Sequence, residues 1–162
     1  ARFRVELAAR NHGVDIQYVE AETVYILGES SLTIYPPGDV EGDNEQGLAV
    51  LCTYGDYDLL ITGDRNMAAE RQLIADHDLP DIEALVVGHH GSKSSTSEQL
   101  LAATAPDYTF LSVGEHNSYG HPAQETLERL AAAGCRIYRT DLQGNITLRI
   151  GAAVETERSD SQ

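Results

Sequence analysis

The sequence predicts a layered α/β domain. Short apolar runs at 48–54, 57–62, 85–87 and 108–113 have the length of buried strands, and polar or glycine-containing loops close them. Stretches at 66–77, 98–104 and 122–133 follow these loops with helical spacing, so strand, loop and helix alternate as they do when helices cover a sheet. With 162 residues and 41% hydrophobic content, the chain has enough apolar material for one core. At this size roughly 70% of the unfolded surface is buried on folding.

In chain order, residues 2–12 carry Phe3, Leu7 and Ala8 at helical spacing, and Gly13 suits a left-handed stop. His12 then sits where a positive group faces the negative end of the helix dipole. Residues 15–20, 23–27 and 31–35 alternate like strands, and 28–30 make a turn, which gives a small antiparallel meander. The segment 36–47 is a loop whose Asp39, Glu41, Asp43 and Glu45 resemble ligands but form the kind of charge run that is usually solvated. Gly55-Asp56 joins 48–54 to 57–62 as a hairpin. Asn66 is placed to cap a helix with Met67, Glu70, Leu73 and Ile74 on its inner face, Pro80 prevents its continuation, and His77 falls on the surface.

Residues 85–87 form a buried strand, and Ser95 to Glu98 has the spacing of a capping box for the next helix, which ends before Pro106. The strand 108–113 leads into a loop. Pro122 at a first helical position and Gly134 after the last turn then frame a helix with Leu127 and Leu130 inward. Residues 135–140 and 145–150 read as a closing hairpin, and 151–162 as a flexible polar tail. The helices beginning near Asn66, Ser95 and Pro122 are expected on one face of the sheet.

Composition narrows the function. A formal charge of −15, with Lys93 the only lysine, excludes a general surface for phosphate backbones, which needs basic side chains. Cys52 in an apolar run and Cys135 after a helix-ending glycine read as small buried hydrophobes, and a disulfide is not indicated. No apolar run approaches the roughly 20 residues that span a bilayer, and no signal peptide opens the chain, so the expectation is a soluble domain. Phosphate-cradling glycine motifs are absent.

The chemistry-bearing residues gather at strand ends, where open α/β sheets bind their ligands. His89 and His90 follow the strand 85–87, and Asp64 closes the strand 57–62. Asn117 and His121 lie in the loop after 108–113. Imidazole and carboxylate are metal ligands, though each residue alone is more simply a turn, a cap or a surface group.

Leu-Ile-Thr-Gly-Asp at 60–64 and Val-Gly-His-His-Gly-Ser-Lys-Ser-Ser-Thr-Ser at 87–97 resemble the metallo-β-lactamase-fold hydrolases. With Ser-Val-Gly at 112–114, Asn-Ser-Tyr-Gly-His-Pro at 117–122 and Tyr-Arg-Thr-Asp at 138–141, the chain is most similar to the C-terminal domain of the ComEC competence-protein family, from about Val14 to Ile150. One motif departs from that pattern: His-x-His-x-Asp-His is absent, and the six histidines are His12, His77, His89, His90, His116 and His121.

The resemblance therefore implies the C-terminal half of an αββα sandwich over residues 1–150, with the N-terminal half lost or removed. It further implies that Asp64 bridges two divalent metal ions, manganese or zinc, in the complete domain. One of the histidine pair, His90 by preference, would be a ligand, and metal binding by the half alone would be weak or absent. His89 or His121 would contact phosphate or protonate the leaving group. Ser92, Ser94, Thr96 and Asn117 would bind substrate, which for this family is DNA degraded during uptake, on the outer side of the cell membrane.

Two other readings remain: a different hydrolase of the fold, such as a phosphocholine esterase or lactonase, and a degenerate half-domain that binds a partner without chemistry. A half-sandwich also leaves sheet surface open, which implies self-association.

Overall fold

Seven strands form one sheet in the computed structural model, which describes residues 2–38, 47–150 and 154–157. Asp39, Glu41, Asp43 and Glu45 lie outside the described residues. The strands β1 (Thr23–Leu27), β2 (Ser30–Tyr35), β3 (Ala49–Tyr54), β4 (Tyr57–Ile61), β5 (Ala84–Val86), β6 (Tyr108–Leu111) and β7 (Arg136–Arg139) lie side by side in sequence order. From β1 to β4 the pairing is antiparallel through tight turns, and from β4 to β7 it is parallel. Parallel pairing requires crossovers, and three helices supply them: α2 (Met67–Asp76), α3 (Glu98–Thr104) and α4 (Gln124–Ala132). The helix α1 (Arg2–Asn11) precedes the sheet and stops at Gly13, whose φ is +65°.

The core lies between one sheet face and the helices. Tyr35, Leu51, Leu60, Leu85 and Leu111 from the strands meet Leu73, Leu100, Leu101 and Leu130 from the helices. Because strand side chains alternate, Val50, Ile61, Val86 and Phe110 point to the opposite face, where they are only half-buried. The α/β class and the place of the three helices agree with the sequence pattern.

Several local expectations do not hold. Residues 15–20 form no strand: Val14, Ile16 and Tyr18 stay exposed, since an alternating pattern without a neighbouring strand has no ladder to join. His77 is not a surface residue. Its side chain is 15% exposed, its Nδ1 lies 2.8 Å from a Glu22 carboxylate oxygen, and its ring meets Tyr35 edge-on. Ser95 does not cap α3. Ser97 does, accepting from the Leu100 N–H at 3.2 Å, because the carboxylate of Glu70 takes the N–H groups of Thr96 and Ser97 and moves the helix start downstream. Pro122 is not the first helical residue either, because the Ala123 N–H is committed to the Gly91 carbonyl and α4 begins at Gln124.

The closing hairpin is replaced by a helical turn, α5 (Thr140–Gln143). A bidentate Arg139–Asp141 pair and the Arg139 N–H bond to Gln143 Oε1 at 2.7 Å wind the connection. The chain thus leaves the main sheet, and β8 (Asn145–Leu148) pairs instead with β9 (Val154–Glu157). Part of the stretch expected to be a tail is therefore a strand.

Candidate active site at three strand ends

The parallel strands β4, β5 and β6 are neighbours and end on the same edge, so the loops after them converge. Backbone bonds tie these loops together. The His89 N–H donates to the Gly63 carbonyl at 3.0 Å, next to Asp64, and the Ala123 N–H to the Gly91 carbonyl at 2.8 Å, beside His121. Asp64, the histidine pair and His121 thus belong to one connected rim.

The strand after Ala84–Val86 does not run through the histidines. Gly88–Gly91 is a single tight turn in which His89 (φ 49°), His90 (φ 54°) and Gly91 (φ 82°) are all left-handed. For a non-glycine residue that conformation costs roughly 1–2 kcal/mol. Strain of this kind persists only where the surroundings over-determine it, as they do at functional sites. The His90 Nδ1 lies 2.6 Å from the Ser112 carbonyl, which can only accept, so Nδ1 carries the proton and Nε2 is left as a lone-pair donor. The rings of His89 and His121 meet edge to face, with centroids 5.8 Å apart.

His121 closes the third loop. Asn117 holds it from both sides: its amide NH2 donates to the Gly114 and His121 carbonyls, and its Oδ1 accepts the His121 N–H at 3.0 Å. The His121 Nδ1 is buried without a hydrogen-bond partner. Burial lowers the pKa of this imidazole, and the neighbouring His89 and His90 add to the effect. A cavity of about 420 Å³, lined among others by His90, Ser112, Asn117, Tyr119, His121 and Thr140, opens here.

The hydroxyl row behaves differently from a ligand-facing loop. The Thr96 side chain is fully buried, and its Oγ1 accepts the Gly88 N–H at 3.1 Å. Ser92 is nearly buried and lies 3.0 Å, oxygen to oxygen, from Ser94, which remains exposed. The loop is gripped from outside. Arg129 donates to the carbonyls of Lys93, Ser95 and Thr96, and the Thr126 hydroxyl donates to that of Ser92. Glu70, Thr126 and Arg129 were not singled out from the sequence as loop-holding residues. The only signal was an acid among apolar positions on α2, and burial raises its pKa despite the two N–H groups it accepts.

Asp64 is half-buried at its strand end. Among the described residues, no three or more His, Cys, Asp or Glu side chains gather as a metal centre. His90 has the tautomer of a ligand, but the donors present do not by themselves fit a pair of divalent ions.

No protein-family model matches the chain. ComE operon protein 3 of Bacillus subtilis is 32% identical over 157 residues, which are 94% of this chain and 20% of that protein. Competence protein ComA of Neisseria gonorrhoeae is 35% identical over 111 residues, 67% of this chain and 16% of its own length. Recombination protein 2 of Haemophilus influenzae is 36% identical over 104 residues, 64% of this chain and 13% of its own. The chain is homologous to part of the ComEC competence proteins. It spans a fifth or less of the length of these relatives.

For this ComEC segment the fold is confirmed independently. A mutant of CmlA beta-hydroxylase, a metallo-β-lactamase-fold enzyme, superposes with a TM-score of 0.56 at 11% identity, over 83% of this chain and 34% of its own. At that identity the likeness concerns the fold alone. Among the described residues no helix is long and apolar enough to cross a membrane.

Proposed function

We propose that this chain forms one wall of the phosphodiesterase site of a metal-dependent nuclease, which degrades DNA during uptake as a domain on the outer side of the membrane. The observation that carries this reading is the strained left-handed histidine pair, fixed at a strand end against the backbone of both neighbouring strand-end loops. On this reading Asp64 and His90 would contribute to holding two divalent ions, manganese or zinc, and the remaining ligands would have to come from outside the described residues. His121, whose pKa burial lowers, and His89 face the substrate with Asn117 behind them. Competence appears in the name of one relative, Competence protein ComA of Neisseria gonorrhoeae, which supports the uptake setting.

The test is metal analysis beside cleavage of linear DNA by the full-length gene product. Asp64→Ala should lose both metal and cleavage. His121→Ala should lower turnover about 10²–10⁴-fold with metal content retained, as for a proton-handling group. Full activity in Asp64→Ala overturns the assignment, and metal loss in His121→Ala moves that histidine among the ligands.

A second reading, a half-domain that binds a partner without chemistry, draws on the lack of a gathered metal centre among the described residues. Absence of cleavage by the full-length product at any metal supplied would favour it.

A further inference from the structure

Tyr119 is the most exposed large hydrophobic side chain among the described residues, at 83%. It is nevertheless placed. Its ring lies nearly parallel to that of His121, at 15° and 6.1 Å between centroids, and borders the cavity that also holds His90 and Asn117. The loop beneath is clamped by Asn117, and Gly120, with φ +72°, lets the backbone reverse between the two stacked rings. An exposed aromatic face beside His121 is suited to be a stacking platform.

The surrounding charge indicates what stacks there. Residues 112–121 contain no lysine or arginine, and the chain carries −15 overall, so this loop offers phosphate backbones little attraction of its own. Base stacking needs no such charge, and every base has a π-face. A base inside a duplex has that face covered, so along a strand the ring can take an unpaired base, and on a blunt duplex only a terminal pair. We propose that Tyr119 stacks an unpaired base next to the reacting phosphate, so that the site selects single-stranded over double-stranded nucleic acid. This rests on the nuclease reading above.

The experiment uses the full-length gene product and three probes: a single-stranded oligonucleotide, the same oligonucleotide with consecutive abasic positions, and its blunt duplex. Binding by fluorescence anisotropy and cleavage are measured for wild type, Tyr119→Ala and Tyr119→Phe. Wild type should prefer the intact single strand to the abasic strand and the duplex. Tyr119→Ala should weaken binding of the intact strand roughly 5- to 100-fold and raise its KM in proportion, while Tyr119→Phe retains both.

Equal binding of intact and abasic strands by wild type, or a Tyr119→Ala defect of the same size on both, overturns the proposal even if cleavage is robust. A base-dependent binding defect without any cleavage leaves the proposal standing and removes the nuclease reading. Displacement of bound oligonucleotide by millimolar phosphocholine in wild type but not in Tyr119→Ala would assign the ring to a quaternary ammonium and overturn the stacking assignment.

Discussion

Gly91 shows how closely the histidine turn is packed. A Cβ added there would lie 2.6 Å from the Pro122 Cβ and 2.7 Å from the Leu111 Cδ2, and its φ of +82° is unfavourable to any L side chain. Gly91→Ala should therefore destabilise the chain by about 1–3 kcal/mol, an overpacking penalty with left-handed strain added, readable by urea unfolding. An unchanged midpoint would show that α4 can move away from the turn. Tyr35 offers a test in alkali. Burial, with Glu22 and Asp58 adding to it, pushes its phenol up to about 12. In the unfolded chain it ionises near 10. Between those values the folded state holds a proton that the unfolded state releases, so stability falls as pH rises, by up to about 1.4 kcal/mol per pH unit. Tyr35→Phe should flatten that slope between pH 10 and 12, and an identical slope would show that the phenol is solvated.

The loop 92–97 is held by opposite ends of the hydrogen-bonding range: Glu70 on α2 accepts N–H groups and Arg129 on α4 donates to carbonyls. Glu70→Gln keeps the volume but gives one oxygen for two donors, leaving a buried N–H unpaired at a cost of about 1–3 kcal/mol. Equilibrium unfolding should register that loss, and no loss would mean that water reaches the loop. Neither clamp was legible in the sequence, because each joins residues about 26–36 positions apart. The strands and helices were legible wherever periodicity and stop signals agreed, as at β3, β4 and α2. Expectations failed where tertiary hydrogen bonds outranked local signals: Ser95 lost the cap to Ser97, Pro122 lost its place at the head of α4, and α5 replaced a hairpin turn. Asp64, His90 and His121 were visible because each follows an apolar run, whereas Ser112 and Thr140 stood in the sequence only as parts of family-like runs, and their place at the cavity comes from the way β6 and β7 terminate.

At the scale of the whole molecule, one sheet face carries α2, α3 and α4, the other is bordered by Leu148 and Ile150 beside Leu32, Cys52 and Leu59, and the outer strand is unguarded. Among the described residues β1 pairs only with β2, and its Val24, Ile26 and Leu27 are exposed, Ile26 at 72%. An edge strand with free N–H and C=O groups and apolar side chains is a template for another strand, and this one carries none of the lysines or prolines that usually protect such edges. The half-buried Val50, Ile61, Val86 and Phe110 on that second face add apolar surface that self-association would remove from water. The net charge of −15 opposes association, and salt screens that repulsion over about 8 Å at physiological ionic strength. The 162-residue chain should therefore associate reversibly, more so as salt rises, with light-scattering mass increasing with concentration. Ile26→Lys places a charge in the middle of the exposed edge and should return the mass towards that of one chain. A single-chain mass for the unsubstituted protein at high concentration and high salt would show that β1 and the second face are covered within the molecule itself.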